Sequence, residues 1–191
     1  VVEGVTLQVL PGTVEQRNIL KAYETFLITS VVRLKKRRIV VDAGNGSLSE
    51  MAPRVLAHLG LDVVPLFCSP DGSFPNRDPN PAVPEHIETL RQEVINTRAD
   101  LGVAYDGDGD RVIFCDHTGQ ISAADRVFVL YIDNLLKKQP GAGVVYDQKC
   151  SEVVPEAIKA HGGIPLVTLL IIDNTSARFF FEQIVDIEYE N

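Results

Sequence analysis

From residue 38 onward the chain alternates short apolar runs with segments of helical period, and this alternation restricts the fold more than any other feature. Ile39-Val40-Val41 is apolar at consecutive positions and too short for a helix, as in a strand covered on both faces. Segments 62–67, 101–105, 112–115, 144–146 and 164–168 are of the same kind. Between them, 49–59, 84–97, 123–138 and 152–160 read as helices, with Gly60 suited to a helix end and Pro84 to a first turn. The turn at 116–119 and the strand at 112–115 predict a hairpin around the loop that follows 101–105. Such alternation builds a parallel sheet with helices on its faces. The expected class is therefore α/β: a three-layer α/β/α domain with a mixed, mostly parallel sheet, plus a partial second α/β domain. Ahead of it, 14–30 reads as a helix, with Thr13 and Gln16 as a capping box and Leu20, Tyr23, Leu27 and Ile28 as its apolar stripe. Gln139-Pro140-Gly141-Ala142-Gly143 has the composition of a linker. The expected division is a linker helix over 1–30, the main domain over 31–139 and a partial domain over 140–191.

Composition excludes several classes. With 45% hydrophobic and 23% charged residues the chain has the makeup of a globular protein. A net charge of −8 argues against a general nucleic-acid binder, and the basic run at 33–38 reads as a solvated approach to the next strand. The three cysteines, Cys68, Cys115 and Cys150, form no C-x-x-C pair, which points to a reducing, cytoplasmic setting. No apolar stretch approaches the roughly 20 residues of a membrane span. The chain opens on Val1-Val2 and reads as a piece of something longer.

The strongest chemical signal is Asp106-Gly107-Asp108-Gly109-Asp110-Arg111. In an extended strand, carboxylates at i, i+2 and i+4 stand about 6–7 Å apart in succession. Mg²⁺ needs its oxygens at about 2.0–2.1 Å, so the chain must curl, and Gly107 and Gly109 permit that. Crowded carboxylates repel unless a cation or protons neutralise them, and an all-oxygen donor set suits Mg²⁺, Mn²⁺ or Ca²⁺. An EF-hand is excluded because its sixth and twelfth positions are Arg111 and His117. Beside a metal, Arg111 can bind phosphate as a fork, which suggests metal-assisted phosphoryl chemistry. Gly44-Asn45-Gly46-Ser47, between a strand and a helix, reads as a tight turn with a serine cap ahead of a phosphate cradle.

The loop, with Gly102-Val103-Ala104-Tyr105 before it, resembles the D-G-D-x-D-R metal loop of the α-D-phosphohexomutase family, the phosphomannomutases and phosphoglucomutases. Val41-Asp42-Ala43-Gly44-Asn45-Gly46 is similar to that family's strand–GNG–helix opening. Asp71-Gly72-Ser73-Phe74-Pro75 with Pro79-Asn80-Pro81 resembles its D-G-x-F-P…P-N-P loop, and Asp147-Gln148-Lys149-Cys150-Ser151 its D-x-K-x-S segment. The resemblance covers roughly 14–167 and implies a second domain and part of a third. It implies interconversion of hexose 1-phosphates and 6-phosphates through a phosphoserine and a bisphosphate intermediate. Asp106, Asp108 and Asp110 would hold Mg²⁺, Arg111 would contact phosphate, and Lys149 would face the transferring group. The family's serine loop, T-A-S-H-N-P, and its sugar loop, G-E-x-S-G-H, have no match here, and 168–191 departs from the pattern. The chain alone is thus expected to bind metal without turning over hexose phosphate, and to self-associate through exposed interdomain faces.

Two other readings stay open. Asp108-Gly109-Asp110-Arg111-Val112 fits the D-x-D-x-[TV] pattern of haloacid-dehalogenase-like phosphatases, with Asp108 as nucleophile, although Asp173 lacks a second acid beside it. The other is a non-catalytic module that binds metal or sugar phosphate.

Overall fold

The computed structural model describes residues 12–168, so the divergent segment from 169 to 191 lies outside the described residues. The chain divides into two compact units, Val1–Val112 and Ile113–Asn191.

The first unit runs α1 (Leu20–Ser30), β1 (Arg38–Asp42), α2 (Met51–His58), β2 (Asp62–Leu66), a 3-10 turn (Pro84–Ile87), α3 (Glu88–Thr97) and β3 (Leu101–Tyr105). β1 is central and parallel to both neighbours, with Val40 opposite Val64 on one side and Gly102 on the other. This position explains the continuous apolar run: Val40 and Val41 are 0% exposed. The chain steps outward from β1 to β2, then returns across β1 to β3. Right-handed crossovers in opposite directions place their helices on opposite faces of the sheet. Helix α2 packs on β2, and α3 packs on β1 and β3. Ala52, Val55 and Leu59 are buried from one crossover, and Ile87, Leu90 and Val94 from the other. Helix α3 stops where Arg98 turns left-handed (φ 51°), its N–H donating to the Ile95 and Val94 carbonyls.

Helix α1 corrects the sequence reading. It starts at Leu20, not near residue 14, and the Thr13–Gln16 capping box does not open it. The Asn18 side chain instead accepts the Leu20 N–H at 3.1 Å. Residues 12–19 are exposed, so no buried face supports a longer helix there.

The second unit carries most of β4 (Val112–Asp116), β5 (Ile121–Ser122), α4 (Ala124–Lys138), β6 (Gly143–Asp147), α5 (Val153–Ala160) and β7 (Ile164–Thr168). Strands β4 and β5 pair antiparallel, Cys115 opposite Ile121. Asp116 stabilises their turn by accepting the Thr118 and Gln120 N–H groups at 2.8 and 3.0 Å. Strands β6 and β7 pair in parallel through α5, over a core of Ile132, Leu136, Val144, Val154 and Ile158. Parallel pairing thus predominates, as expected for a mixed α/β protein. No helix of the described residues is long and apolar enough to cross a membrane.

Candidate metal centre

The order β2-β1-β3 makes the carboxyl ends of β1 and β3 a topological switch point, where open α/β sheets bind ligands. Three segments converge there: the turn after β1, the Pro-rich loop after β2, and the acidic loop after β3.

Asp106 anchors the acidic loop. Its side chain is buried, and Oδ1 accepts the N–H groups of Gly109 at 2.8 Å and Arg111 at 3.2 Å. Its Oδ2 accepts Arg111 Nε at 2.7 Å. The Asp106 N–H donates to the Arg111 carbonyl at 3.2 Å, which closes the loop. Gly109 takes φ +84°, the left-handed turn the curl requires; Gly107 has no such φ and is held close against Phe74 and Pro79 instead.

The curl does what a straight strand cannot. One carboxylate oxygen from each of Asp106, Asp108 and Asp110 lies within 4.8 Å of the others, with Asp106 buried and the other two exposed. In an octahedral Mg²⁺ shell trans ligands stand about 4 Å apart and adjacent ones about 3 Å, so the carboxylates would have to draw together around an ion. All donors are oxygen, as a hard cation prefers. Burial pushes the Asp106 carboxyl up. Bonds from the Arg111 backbone, Asp110, the Arg111 guanidinium and Gly109 outweigh this and hold it at about 2. Asp110 moves the other way: its bond to Asp106 raises it first, then desolvation and the Asp108 charge. A divalent cation would relieve that crowding.

The sign follows for metal binding. A cation takes the deprotonated carboxylate, and Asp110, raised first by its bond to Asp106, holds its proton to higher pH than an unperturbed aspartate. Mn²⁺ affinity therefore drops on acidification, beginning above pH 3.8, by up to about tenfold per pH unit. Mn²⁺ titrations followed by electron paramagnetic resonance from pH 7 downward check this; an affinity flat to pH 3 contradicts it.

The turn after β1 supports the acidic loop. Ser47 N–H donates to the Gly107 carbonyl at 2.9 Å, and Ser47 Oγ to the Asp108 carbonyl at 2.8 Å. The N–H groups of Gly44, Asn45, Gly46 and Ser47 are all bonded within the protein, in keeping with a tight turn rather than a phosphate cradle. The expected serine cap is corrected: α2 opens at Glu50 without a side-chain cap bond, and Ser47 Oγ serves the acidic loop instead. Gly46 is needed for the approach: a Cβ there would stand 2.6 Å from the Gly107 carbonyl oxygen. Because that neighbour is backbone, Gly46→Ala must displace the loop. Its expected cost is about 1–3 kcal/mol in urea unfolding, with weaker Mn²⁺ binding; a wild-type midpoint and affinity would refute it.

The Pro-rich loop supplies a third wall. Asp71 accepts the Ser73 N–H at 2.9 Å, and Asn45 joins this loop to the first turn through Ser69 and Asn76. Asn80 Oδ1 lies 3.4 Å from an Arg111 terminal nitrogen. The Arg111 side chain is 58% exposed, so much of its fork faces solvent above the carboxylates.

Asp106, Asp108, Asp110 and Arg111 are thus assembled in one loop. Lys149 lies in the second unit, exposed in the turn after β6, with its N–H donating to Asp147 Oδ1 at 2.8 Å. Asp125 Oδ2 accepts the Ser151 N–H at 2.9 Å and holds the end of that turn. Sequence reasoning missed the buried pair of Asp42 and Arg77, both within the site's framework. The available signal was a carboxylate closing a fully buried strand, which needs a partner.

A curled, all-carboxylate loop with an adjoining arginine thus sits at the switch point of an α/β sheet of the doubly wound class. The model of the phosphoglucomutase/phosphomannomutase α/β/α domain II matches residues 18–119. The chain belongs to that family. A Pseudomonas putida protein named phosphomannomutase/phosphoglucomutase is 42% identical over 161 residues, 84% of this chain and 35% of the relative. One of the same name from Pseudomonas aeruginosa is 39% identical, over 82% of this chain and 34% of the relative. A crystal structure of a phosphoglucomutase/phosphomannomutase family protein from Burkholderia thailandensis superposes with TM-score 0.78 at 35% identity, over 81% of this chain and 34% of that one. The chain spans about a third of the length of these relatives. Membership argues against the dehalogenase-like phosphatase reading. So does the geometry, since Asp108 follows buried Asp106 within the curl and does not directly end β3.

Proposed function

We propose that the chain is the metal-loop portion of a phosphohexomutase, an isomerase of carbohydrate metabolism acting on hexose phosphates. The observation that carries this reading is the convergence of three carboxylates and Arg111 at the switch point. Asp106, Asp108 and Asp110 would hold Mg²⁺, which supplies Lewis-acid neutralisation of charge on a phosphoryl oxygen. Asp106 stays ionised and orients Arg111 through Nε, so that the guanidinium, with one terminal nitrogen 3.4 Å from Asn80 Oδ1, can turn its other one to phosphate. Lys149 carries the second positive charge, stabilising the transferring group or shuttling its proton; such fixed charges are the main requirement of phosphoryl transfer.

The 191-residue chain binds the ion without turnover, because no segment of it matches the family's serine or sugar loops. It acts in the cytoplasm and self-associates through apolar side chains such as Leu130 (69% exposed) and Tyr131 (63%). Sedimentation velocity over a concentration series reads the association.

The deciding experiment has two arms. The chain is titrated with Mn²⁺, and the complete open reading frame containing it is assayed with α-D-glucose 1-phosphate and α-D-mannose 1-phosphate in Mg²⁺. Binding in the first arm and 6-phosphate formation in the second support the proposal. Binding with no isomerisation by the complete protein favours a non-catalytic metal module, and no binding removes the metal centre.

A further inference from the structure

The inference rests on the reading that the acidic loop holds a divalent cation. Asp42 closes β1, Arg77 sits in the Pro-rich loop, and their side chains are 0% and 3% exposed. Burying two charges costs several kcal/mol each unless geometry and further hydrogen bonds compensate. Here every compensating bond ends on the framework of the site. Arg77 Nε donates to both Asp42 oxygens at 3.0 and 2.9 Å. One terminal nitrogen donates to the Asp78 carbonyl at 3.0 Å, the other to the Tyr105 carbonyl at 2.7 Å. Asp42 Oδ1 also accepts the Gly44 N–H at 2.8 Å. The pair therefore ties together the turn after β1, the Pro-rich loop and the last residue of β3.

The Tyr105 bond is the telling one. The Tyr105 carbonyl and the Asp106 N–H belong to the same planar peptide. Arg77 holds the carbonyl side of that plane, and the Arg111 carbonyl accepts from its N–H side. The plane from which the first carboxylate projects is thus fixed at both edges. A pair of apolar side chains would fill the same volume but offer none of these directional bonds.

We propose that Arg77, clamped by Asp42, is a positioning residue for the metal loop: it fixes the Tyr105–Asp106 peptide and so gathers the three carboxylates near one another before an ion enters. Sites built this way bind more tightly because ordering is complete before binding.

Arg77→Lys keeps a charge but cannot reproduce the planar fork. In the 191-residue chain its expected result is a roughly ten- to hundredfold weaker Mn²⁺ affinity. Without metal, amide hydrogen exchange at Gly109 and Arg111, whose N–H groups bond to Asp106, speeds up at least about tenfold, while the interiors of β1 and β3 keep their protection. Wild-type affinity and loop exchange in the folded variant overturn the proposal. So does equal acceleration in loop and strands, which marks a merely structural pair. A wild-type chain that binds no Mn²⁺ overturns the cation reading, and loop exchange then still reads whether Arg77 orders the loop, so the two failures are distinct. If Arg77→Lys does not fold, Asp42→Asn, which leaves Arg77 its two carbonyl acceptors, carries the same expectation.

Discussion

Asp106→Ala lowers the unfolding free energy by about 2–3 kcal/mol and abolishes measurable Mn²⁺ binding. The substitution strands the N–H groups of Gly109 and Arg111 and the Arg111 Nε, all of which end on the Asp106 carboxylate. Breaking a fully buried ion pair costs about 3–5 kcal/mol, and the exposed Arg111 side chain, which water can solvate, reduces that figure. Asp106→Asn recovers part of the loss, since its amide oxygen still accepts a backbone N–H while its NH₂ opposes Arg111. The acid limb gives an independent reading. The folded value of about 2 is below the ordinary 3.8, so the carboxylate contributes stability that is complete above about pH 4. This contribution fades as pH falls through about 2, and amounts to roughly 2 kcal/mol. Urea midpoints at pH 7, 4 and 2 for wild type and Asp106→Asn test it: the wild type loses this component on acidification and the variant does not. Equal midpoints for wild type and Asp106→Ala at pH 7 would sink the anchoring role.

The double variant Asp108→Asn with Asp110→Asn has the opposite profile. Both side chains are exposed, and Asp110 is raised by its carboxylate neighbours. Removing their charges relieves repulsion, so the melting temperature holds or rises slightly. Mn²⁺ affinity falls at least about a hundredfold, because two of three anionic ligands become neutral amides. Calorimetric melting beside a Mn²⁺ titration makes the comparison. Retained affinity in the double variant would remove these aspartates from the centre. The contrast with Asp106→Ala separates the carboxylate that holds the loop from the two that complete the cage.

Strands β3 and β7 coincide with the apolar segments at 101–105 and 164–168; β3 is buried or half-buried along its length, whereas β7 leaves Ile164, Leu166 and Val167 exposed and is placed by its pairing with β6. Strand β5 has two residues, too few for a periodic signal, and exists by pairing with β4. The start of α1 misled because a capping pattern promises a helix only where a face finds cover. The acidic loop was legible because its curl is written locally in alternating Asp and Gly. The Asp42–Arg77 pair was not, since its members stand 35 positions apart and Arg77 resembles any polar residue of a Pro-rich loop.

The three walls of the centre are joined across wide gaps in the chain. Ser47 reaches Asp108 across 61 positions, and Arg77 reaches Tyr105 across 28. Closing such spans costs entropy before any local contact compensates, so the pocket can assemble only after both crossovers are wound. A cation held there would therefore not seed folding: it would arrive last, and its capture would be a chemical certificate that the β1–β3 winding is complete.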